Sequence, residues 1–284
     1  MAGTLYVVPT PIGHLGDITD RARAVLAEAD FIAAEDTRVT LKLLNSLALK
    51  KPLVSYYEHN RRESGARIAA RIAAGETAAL VTDAGTPAIS DPGEDLVALC
   101  AEQGLPVVAL PGPCALVTAL SVSGLPSGRF CFEGFLAMNK KSRRAHLAAL
   151  RAETRTMIFY EAPHKLPHTL TDLLETLGDR RAAVCRELTK RHEEVWRTTL
   201  GAAAAHYAEH APRGEFVLVV EGAPETPPPP PSLADAVARA QEDIAGGISL
   251  RDAARRAAER TGLPRSAVYA ALVSTLSPRS GNKK

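Results

Sequence analysis

Five short apolar runs punctuate the first part of the chain: TLYVV (4–8), FIAAE (31–35), LVSYY (53–57), AALVT (78–82) and PVVAL (106–110). Between them lie segments with apolar residues at helical spacing, such as Ile18, Ala22, Val25, Leu26 and Ala29 in ITDRARAVLAEAD. LKLLNSL, ARIAARIAAG and DLVALCAEQG read the same way. A strand that is apolar throughout needs cover on both faces, and alternating helices supply it. The pattern predicts a mostly parallel sheet between two layers of helices. Ligands of such folds sit at the carboxyl ends of the strands.

Those ends carry the unusual residues. Strand one runs into PTPIGHLGD (9–17), strand two into EDTR (35–38), strand four into DAGTPAISDPG (83–93) and strand five into PGPCA (111–115). Any one of them is an ordinary turn. Together, at the ends of one sheet, they predict a binding cleft.

The segment 114–223 differs. RFCFEGF (129–135), TMIFYEA (156–162), AAVCREL (182–188), EVWRTTL (194–200) and EFVLVVEG (215–222) read as strands, with helices at 143–153 and 164–177. More strands per helix point to a mixed sheet. The expected organisation is an α/β domain over 1–113, a second over 114–223, a stiff Pro-rich linker over 224–232 and a helical module over 233–284. Within that module, ISLRDAARRAAERTGLPRSAVYAAL (248–272) has a helix-turn-helix pattern about Gly262-Leu263-Pro264. From 233 on there are nine Lys/Arg and five Asp/Glu, a surplus of four. The linker is expected to hold this module away from the cleft, where it can grip part of a large substrate.

Several classes fall away. The N-terminus has no basic leader, and no stretch approaches the roughly 18 apolar residues of a membrane span. Cys100, Cys114, Cys131 and Cys185 form no CxxC pair, and read as buried thiols of a cytoplasmic protein. There is no GxxxxGK[ST], HExxH or GxSxG, and strand one is not followed by GxGxxG. The pairs His164/His168 and His206/His210 lack a third ligand, so no metal is expected. Open Pro/Gly loops expose backbone N–H and C=O groups, and an adjacent Asp accepts from an amine or ribose hydroxyls. S-adenosyl-L-methionine, with a nucleoside, an amino acid and a positive centre, matches that set.

The segments LYVVPTPIGHLGDIT, AAEDTR, LVTDAGTPAISDPG, LPGPCALVTALSVSGLPSGRFCFEGFL, IFYEAPHK, CRELTK and GEFVLVVEG resemble, in order and spacing, the ribosomal RNA small-subunit methyltransferase I branch of the tetrapyrrole methylase superfamily. The likeness covers roughly residues 3–223, and the tail matches too. It implies two α/β domains of the tetrapyrrole methylase (class III methyltransferase) type with a small helical C-terminal module. It implies S-adenosyl-L-methionine-dependent 2′-O-methylation of a cytidine in the decoding region of 16S rRNA, on the rRNA or the 30S ribosomal subunit, by a homodimer. The cofactor is then expected between the two domains. Pro11 and Gly13 of the first loop, Asp83, Ala84, Gly85, Thr86, Pro87 and Ile89 of the fourth, and Pro111 and Gly112 of the fifth would border it. Tyr160, Leu188 and Phe216 would do so from the second domain.

A methyl shift from sulfur to a ribose hydroxyl needs alignment and the removal of one proton. RELTK offers Glu187 as a base and Arg186 or Lys190 as cations. A structural ion pair among the same residues is an equal reading. Glu35-Asp36-Thr37-Arg38 is a second candidate, against a helix N-terminus capped by Asp36 or Thr37. For RNA phosphates the sequence offers Lys140, Lys141, Arg143 and Arg144, with Arg265 in the tail. Trp196 reads as core or interface. Two other functions remain open: methylation of a small corrin or porphyrin precursor, and a ligand-sensing DNA-binding regulator.

Overall fold

The computed structural model describes residues 1–224 and 232–276. The linker expected over 224–232 lies, from 225 to 231, outside the described residues, as do 277–284. The chain forms two compact units, Met1–Pro224 and a C-terminal one.

The first unit begins with a five-stranded, all-parallel sheet. Its strands are β1 (Leu5–Val7), β2 (Phe31–Ala34), β3 (Leu53–Ser55), β4 (Ala78–Val81) and β5 (Val107–Ala109), in the order β3-β2-β4-β1-β5. The helices α1 (Asp20–Glu28), α2 (Thr37–Ser46), α3 (Arg61–Ala73) and α4 (Glu94–Glu102) connect them. Side chains alternate across the sheet. Phe31, Ala33 and Leu80 pack with Ile68, Ile72 and Leu96 of α3 and α4, and Ile32, Ala34 and Val81 pack with Leu26 and Leu44 of α1 and α2. From neighbouring strands the chain leaves in opposite directions, β1 toward β2 and β4 toward β5. That divergence opens a crevice above β1 and β4.

A second sheet follows: β6 (Phe130–Phe135), β7 (Thr156–Glu161), β8 (Arg181–Arg186), β9 (Glu194–Thr199) and β10 (Phe216–Val220), ordered β6-β7-β10-β8-β9. Only β6 and β7 run parallel, so the sheet is mixed as expected. One face carries α6 (Lys140–Ala149), α7 (Leu166–Leu177) and α8 (Leu200–Glu209) over Phe159, Val184 and Leu218. The other is covered by α5 (Ala115–Ser123), and Ile12 of the first loop packs into the same cluster.

Strand boundaries fall within two residues of the sequence reading. The helix placed at 143–153 starts earlier, at Lys140, because Asn139 caps it by accepting the Ser142 N–H. Helix α5 has no counterpart in that reading, and α8 is marked there only by the i,i+4 spacing of His206 and His210. Trp196 packs at the edge of the core, its ring edge-on to His206 and Tyr207. Cys100 and Cys185 are buried, whereas Cys114 and Cys131 are half-buried.

The C-terminal unit is a three-helix body: α9 (Leu233–Ala245), α10 (Leu250–Thr261) and α11 (Arg265–Leu276). Its core is built largely from alanines (Ala236, Ala240, Ala253, Ala254, Ala257), closed by Val268 and Leu272. Ser232 and Asp235 form a capping box at α9, and Gly262 in a left-handed conformation ends α10. Residues 232–276 hold six Arg and five Asp/Glu, so most of the tail's surplus lies in Arg279, Lys283 and Lys284, outside the described residues. Arg255 and Arg260 are paired with acids. Among the described residues, no helix is long and apolar enough to cross a membrane.

Candidate active site

The loops at the carboxyl ends of the first sheet are tied to one another. Thr10 and Gly85 exchange both backbone hydrogen bonds, at 2.8 and 2.9 Å, joining the loop after β1 to the loop after β4. Gly85 sits at φ +87, and a Cβ there would stand 3.4 Å from Ile12 Cγ2. Thr86 Oγ1 donates to Pro113 O at 2.8 Å, tying in the loop after β5. The His14 N–H donates to Thr189 Oγ1 at 3.2 Å, reaching the turn after β8.

Backbone strain gathers in the same places. Of five non-glycine residues at positive φ among the described residues, Ala88 and Ser90 lie in the loop after β4, and Glu187 and Thr189 in the turn after β8. Such conformations persist only where the surroundings over-determine them, and they concentrate at ligand sites.

These loops and the near ends of β7, β8 and β10 enclose a cavity of about 630 Å³, within the usual range for small-molecule sites. The loops of the first sheet give one wall with Glu35, Asp83 and Asp91, and the second sheet gives Tyr160, Leu188, Phe216 and Val217, with Glu161 and Glu215 among them. Glu35 is fixed by Thr82 Oγ1, which donates to it at 2.7 Å, and Asp83 Oδ1 accepts the Asp36 N–H at 3.2 Å. Burial, then the charge of Glu35, raises the Asp83 carboxyl above its ordinary value. The same two causes, in that order, push Asp91 up to about 7. Three carboxylates crowded this way favour a cation among them. Tyr160 OH accepts the Leu116 N–H at 3.0 Å, fixing α5 to this wall. Burial pushes the Cys185 thiol up to about 11, leaving it uncharged. Glu161 is 2% exposed, but its oxygens accept from the Ala162 N–H and Thr169 Oγ1, so it is a satisfied structural acid.

The residues singled out in the sequence divide clearly. Asp83, Ala84, Gly85, Thr86 and Ile89 line the cavity, as do Tyr160, Leu188 and Phe216. Pro11, Gly13, Pro87, Pro111 and Gly112 are not among its lining residues, and Gly13, Pro111 and Gly112 are exposed. A Cβ on Gly112 would come within 2.7 Å of the Pro9 ring, and one on Gly13 within 2.5 Å of Lys190 Cγ, so these glycines let loops pack on loops. Glu187 accepts from Lys190 Nζ and from the Glu215 N–H, both at 2.9 Å, and Lys190 also reaches Glu215 Oε2 at 2.8 Å. Burial alone would raise the Glu187 carboxyl; those hydrogen bonds hold it below its ordinary value. Of this group Glu215 lines the cavity. Arg186 pairs with Glu194 across β8 and β9. Asp36 caps α2 and holds Arg38, which draws its carboxyl down to about 2.

The basic segment splits as well. Lys140 and Lys141 are exposed. Arg143, 12% exposed in its side chain, pairs with Asp172, 5% exposed, and donates to the carbonyls of Ala137 and Met138. Arg144 bridges Asp172 and Glu175. Arg265 begins α11 at its exposed end. Among the described residues, no group of three or more His, Cys, Asp or Glu is placed to hold a metal ion. Sequence reasoning missed Asp91 as a wall residue, although the Asp-Pro-Gly run that carries it was visible. It also missed Phe135 and Cys185, which nothing in their local sequence distinguishes from core residues.

A family profile described as Tetrapyrrole (Corrin/Porphyrin) Methylases matches residues 4–204, and one described as RsmI C-terminal HTH domain matches residues 231–276. The ribosomal RNA small subunit methyltransferase I of Synechocystis sp. is 48% identical over 270 residues, covering 94% of this chain and 96% of the relative. Its namesake in Escherichia coli O157:H7 is 47% identical over 272 residues, covering 94% and 93%. Among solved structures, uroporphyrin-III C-methyl transferase from Thermus thermophilus, complexed with S-adenyl homocysteine, superposes with a TM-score of 0.54 at 20% identity, over 77% of this chain and 97% of that one.

Proposed function

Because this chain belongs to the tetrapyrrole methylase family, within its ribosomal RNA small subunit methyltransferase I group, we propose that it transfers a methyl group from S-adenosyl-L-methionine to ribosomal RNA. The finer reading is 2′-O-methylation of a cytidine in the decoding region of 16S rRNA, on the rRNA or the 30S subunit, by a homodimer.

The observation that carries this reading is the cavity's mixed lining, with acidic side chains from the loops of the first sheet and mainly aromatic and apolar ones from the second. Glu35, Asp83 and Asp91 suit the sulfonium and ammonium charges of the donor, and the Tyr160–Phe216 side suits an adenine ring. The donor supplies an activated methyl: its C–S bond breaks as the O–C bond forms, sulfur becomes neutral, and the hydroxyl proton departs. The chain's task is to align the acceptor oxygen and receive that proton. Without a ligand, burial and the charge of Glu35 push Asp91 up to about 7; a bound cation would draw it down toward the charged form that can receive a proton. Glu187 and Lys190 serve as positioning residues, locking the strained turn that presents Leu188 to the cavity. Arg186, paired with Glu194, stiffens the β8–β9 hairpin. Lys140 and Lys141 are the phosphate contacts of this segment. Arg265 and the basic residues of the tail add sequence-independent affinity.

Tritium from labelled S-adenosyl-L-methionine should pass to total rRNA from cells lacking the gene, and not to uroporphyrinogen. The reverse result would assign the chain to small-molecule methylation.

A further inference from the structure

The second sheet ends at the cavity in a feature the reaction itself does not account for. Along an unbroken strand, residues three apart point to opposite faces. In β6 the register against β7 slips between Phe132 and Gly134, so that Phe132 pairs with Ile158 and Phe135 with Tyr160. The bulge needs Gly134 at φ +62, where a Cβ would lie 3.3 Å from Ser90 Oγ of the loop after β4. As a result Phe132 and Phe135 both turn to the same ring, edge-on to Tyr160 at centroid distances of 4.9 and 5.6 Å. Bulges re-aim side chains beside active sites. Here the bulge turns Phe135 toward the cavity it lines, yet leaves that ring 53% exposed.

The chain beyond Phe135 is held firmly. Leu136 is buried in the core beneath α7. Arg143, anchored on Asp172, donates to the carbonyls of Ala137 and Met138 at 3.2 and 3.1 Å. Asn139 caps α6. Lys140 and Lys141 then project from its first turn, in no ion pair among the described residues. An exposed ring that lines the cavity and two exposed lysines, Lys140 beside the groove between α6 and α7, thus lie within seven residues of a segment tied down at Leu136, Ala137, Met138 and Asn139.

We propose that Phe135–Lys141 is the docking arm for the acceptor RNA strand: a base at or beside the reacting nucleoside stacks on Phe135, and Lys140 and Lys141 hold the adjoining phosphates. This rests on the rRNA reading above and deepens it. Single-stranded RNA is gripped by aromatic platforms beside basic residues, and a ribose hydroxyl can be aligned only if its nucleoside is unstacked and held. Arg143 is a positioning residue: it fixes the arm rather than touching phosphate.

The test uses the full chain, S-adenosyl-L-methionine, and 16S rRNA or 30S subunits. Phe135→Leu should raise KM for RNA roughly 5- to 100-fold, the range for losing one stacked base, with cofactor affinity by calorimetry within about twofold. Phe135→Tyr should restore KM. Lys140→Gln with Lys141→Gln should flatten the log KM against log salt slope by about 1.4, as for two single-strand phosphate contacts. A parallel loss of cofactor affinity in Phe135→Leu would assign the ring to the donor, and a change in oligomeric mass would assign it to a contact between copies; either overturns the arm. An unchanged KM does so as well. If the wild-type chain transfers no methyl to RNA, the underlying function fails first, a result distinguishable from all of these.

Discussion

Gly85 offers the sharpest link between backbone geometry and ligand binding. Its φ of +87 lies where L side chains are disfavoured, and its N–H and C=O both bond Thr10. A methyl at Cβ meets Ile12 Cγ2 at 3.4 Å, ordinary contact, so alanine fits in space but not in conformation. The cost of a Cβ in the left-handed region is about 1–2 kcal/mol, against a total stability of roughly 5–15 kcal/mol. Gly85→Ala should stay folded with Tm lowered by about 2–8 °C. The added methyl points at Ile12, so cofactor affinity should fall by no more than about threefold. Gly85→Val adds a branched carbon against Ile12, with an overpacking cost of about 1–3 kcal/mol more. It should lose the Thr10 bridge, and cofactor binding with it. Valine should therefore lower stability and cofactor affinity together. Differential scanning calorimetry and titration calorimetry on the two variants decide the matter. A Tm for Gly85→Ala within 1 °C of wild type would refute the backbone argument. Normal Tm with no binding would place the methyl in the cavity.

Three further outcomes follow from the same structure. Asp91 has a folded pKa of about 7, above its unfolded value, so its contribution to stability is complete below about pH 4 and is lost as pH rises through 7. Asp91→Asn should accordingly be more stable than the ligand-free wild type at pH 8.5, with the gap narrowing toward pH 5.5 in denaturant titrations. A constant gap would contradict the raised pKa. Asp172→Ala strands the largely buried Arg143 guanidinium and should cost about 3–5 kcal/mol, read as a fall in Tm; an unchanged Tm would show that the pair is not structural. Ending the chain after Pro224 keeps the Ala223 N–H bonded to Glu153 O. That shortened chain should bind S-adenosyl-L-methionine normally while losing most methyl transfer to rRNA, and full transfer without the tail would remove its docking role.

The fold was legible where local pattern suffices. Strands β2 and β4 are apolar at every position because helices cover both faces, and that shows as FIAA and AALV. Helix α5 was missed for the same reason: buried residues such as Leu116, Ala119 and Leu120 leave little polar contrast in ALVTALSVS, and periodicity fades. Helix α8 opens on GAAAA, whose small side chains give little contrast either. At the site, the Pro/Gly loops announced themselves, but which residues face inward depends on packing between distant segments. At Gly13 and Gly112 another loop crosses within reach of a Cβ, a packing demand that local sequence does not show. Arg143 and Arg144 looked like free charge until Asp172, twenty-eight and more residues on, came into contact with both. Phe135 reads as a core residue in RFCFEGF, and only the bulge beside it turns it outward.

The central claim is that this cavity serves methyl transfer to the ribose of rRNA. Purified protein should be incubated with S-adenosyl-L-methionine and 30S subunits from cells lacking the gene, and the 16S rRNA digested to nucleosides for mass spectrometry. The account predicts a single new 2′-O-methylcytidine, mapping to the decoding region and absent when Asp83→Ala protein is used. A methyl group on a base, or none in RNA while a tetrapyrrole precursor is methylated, would contradict it.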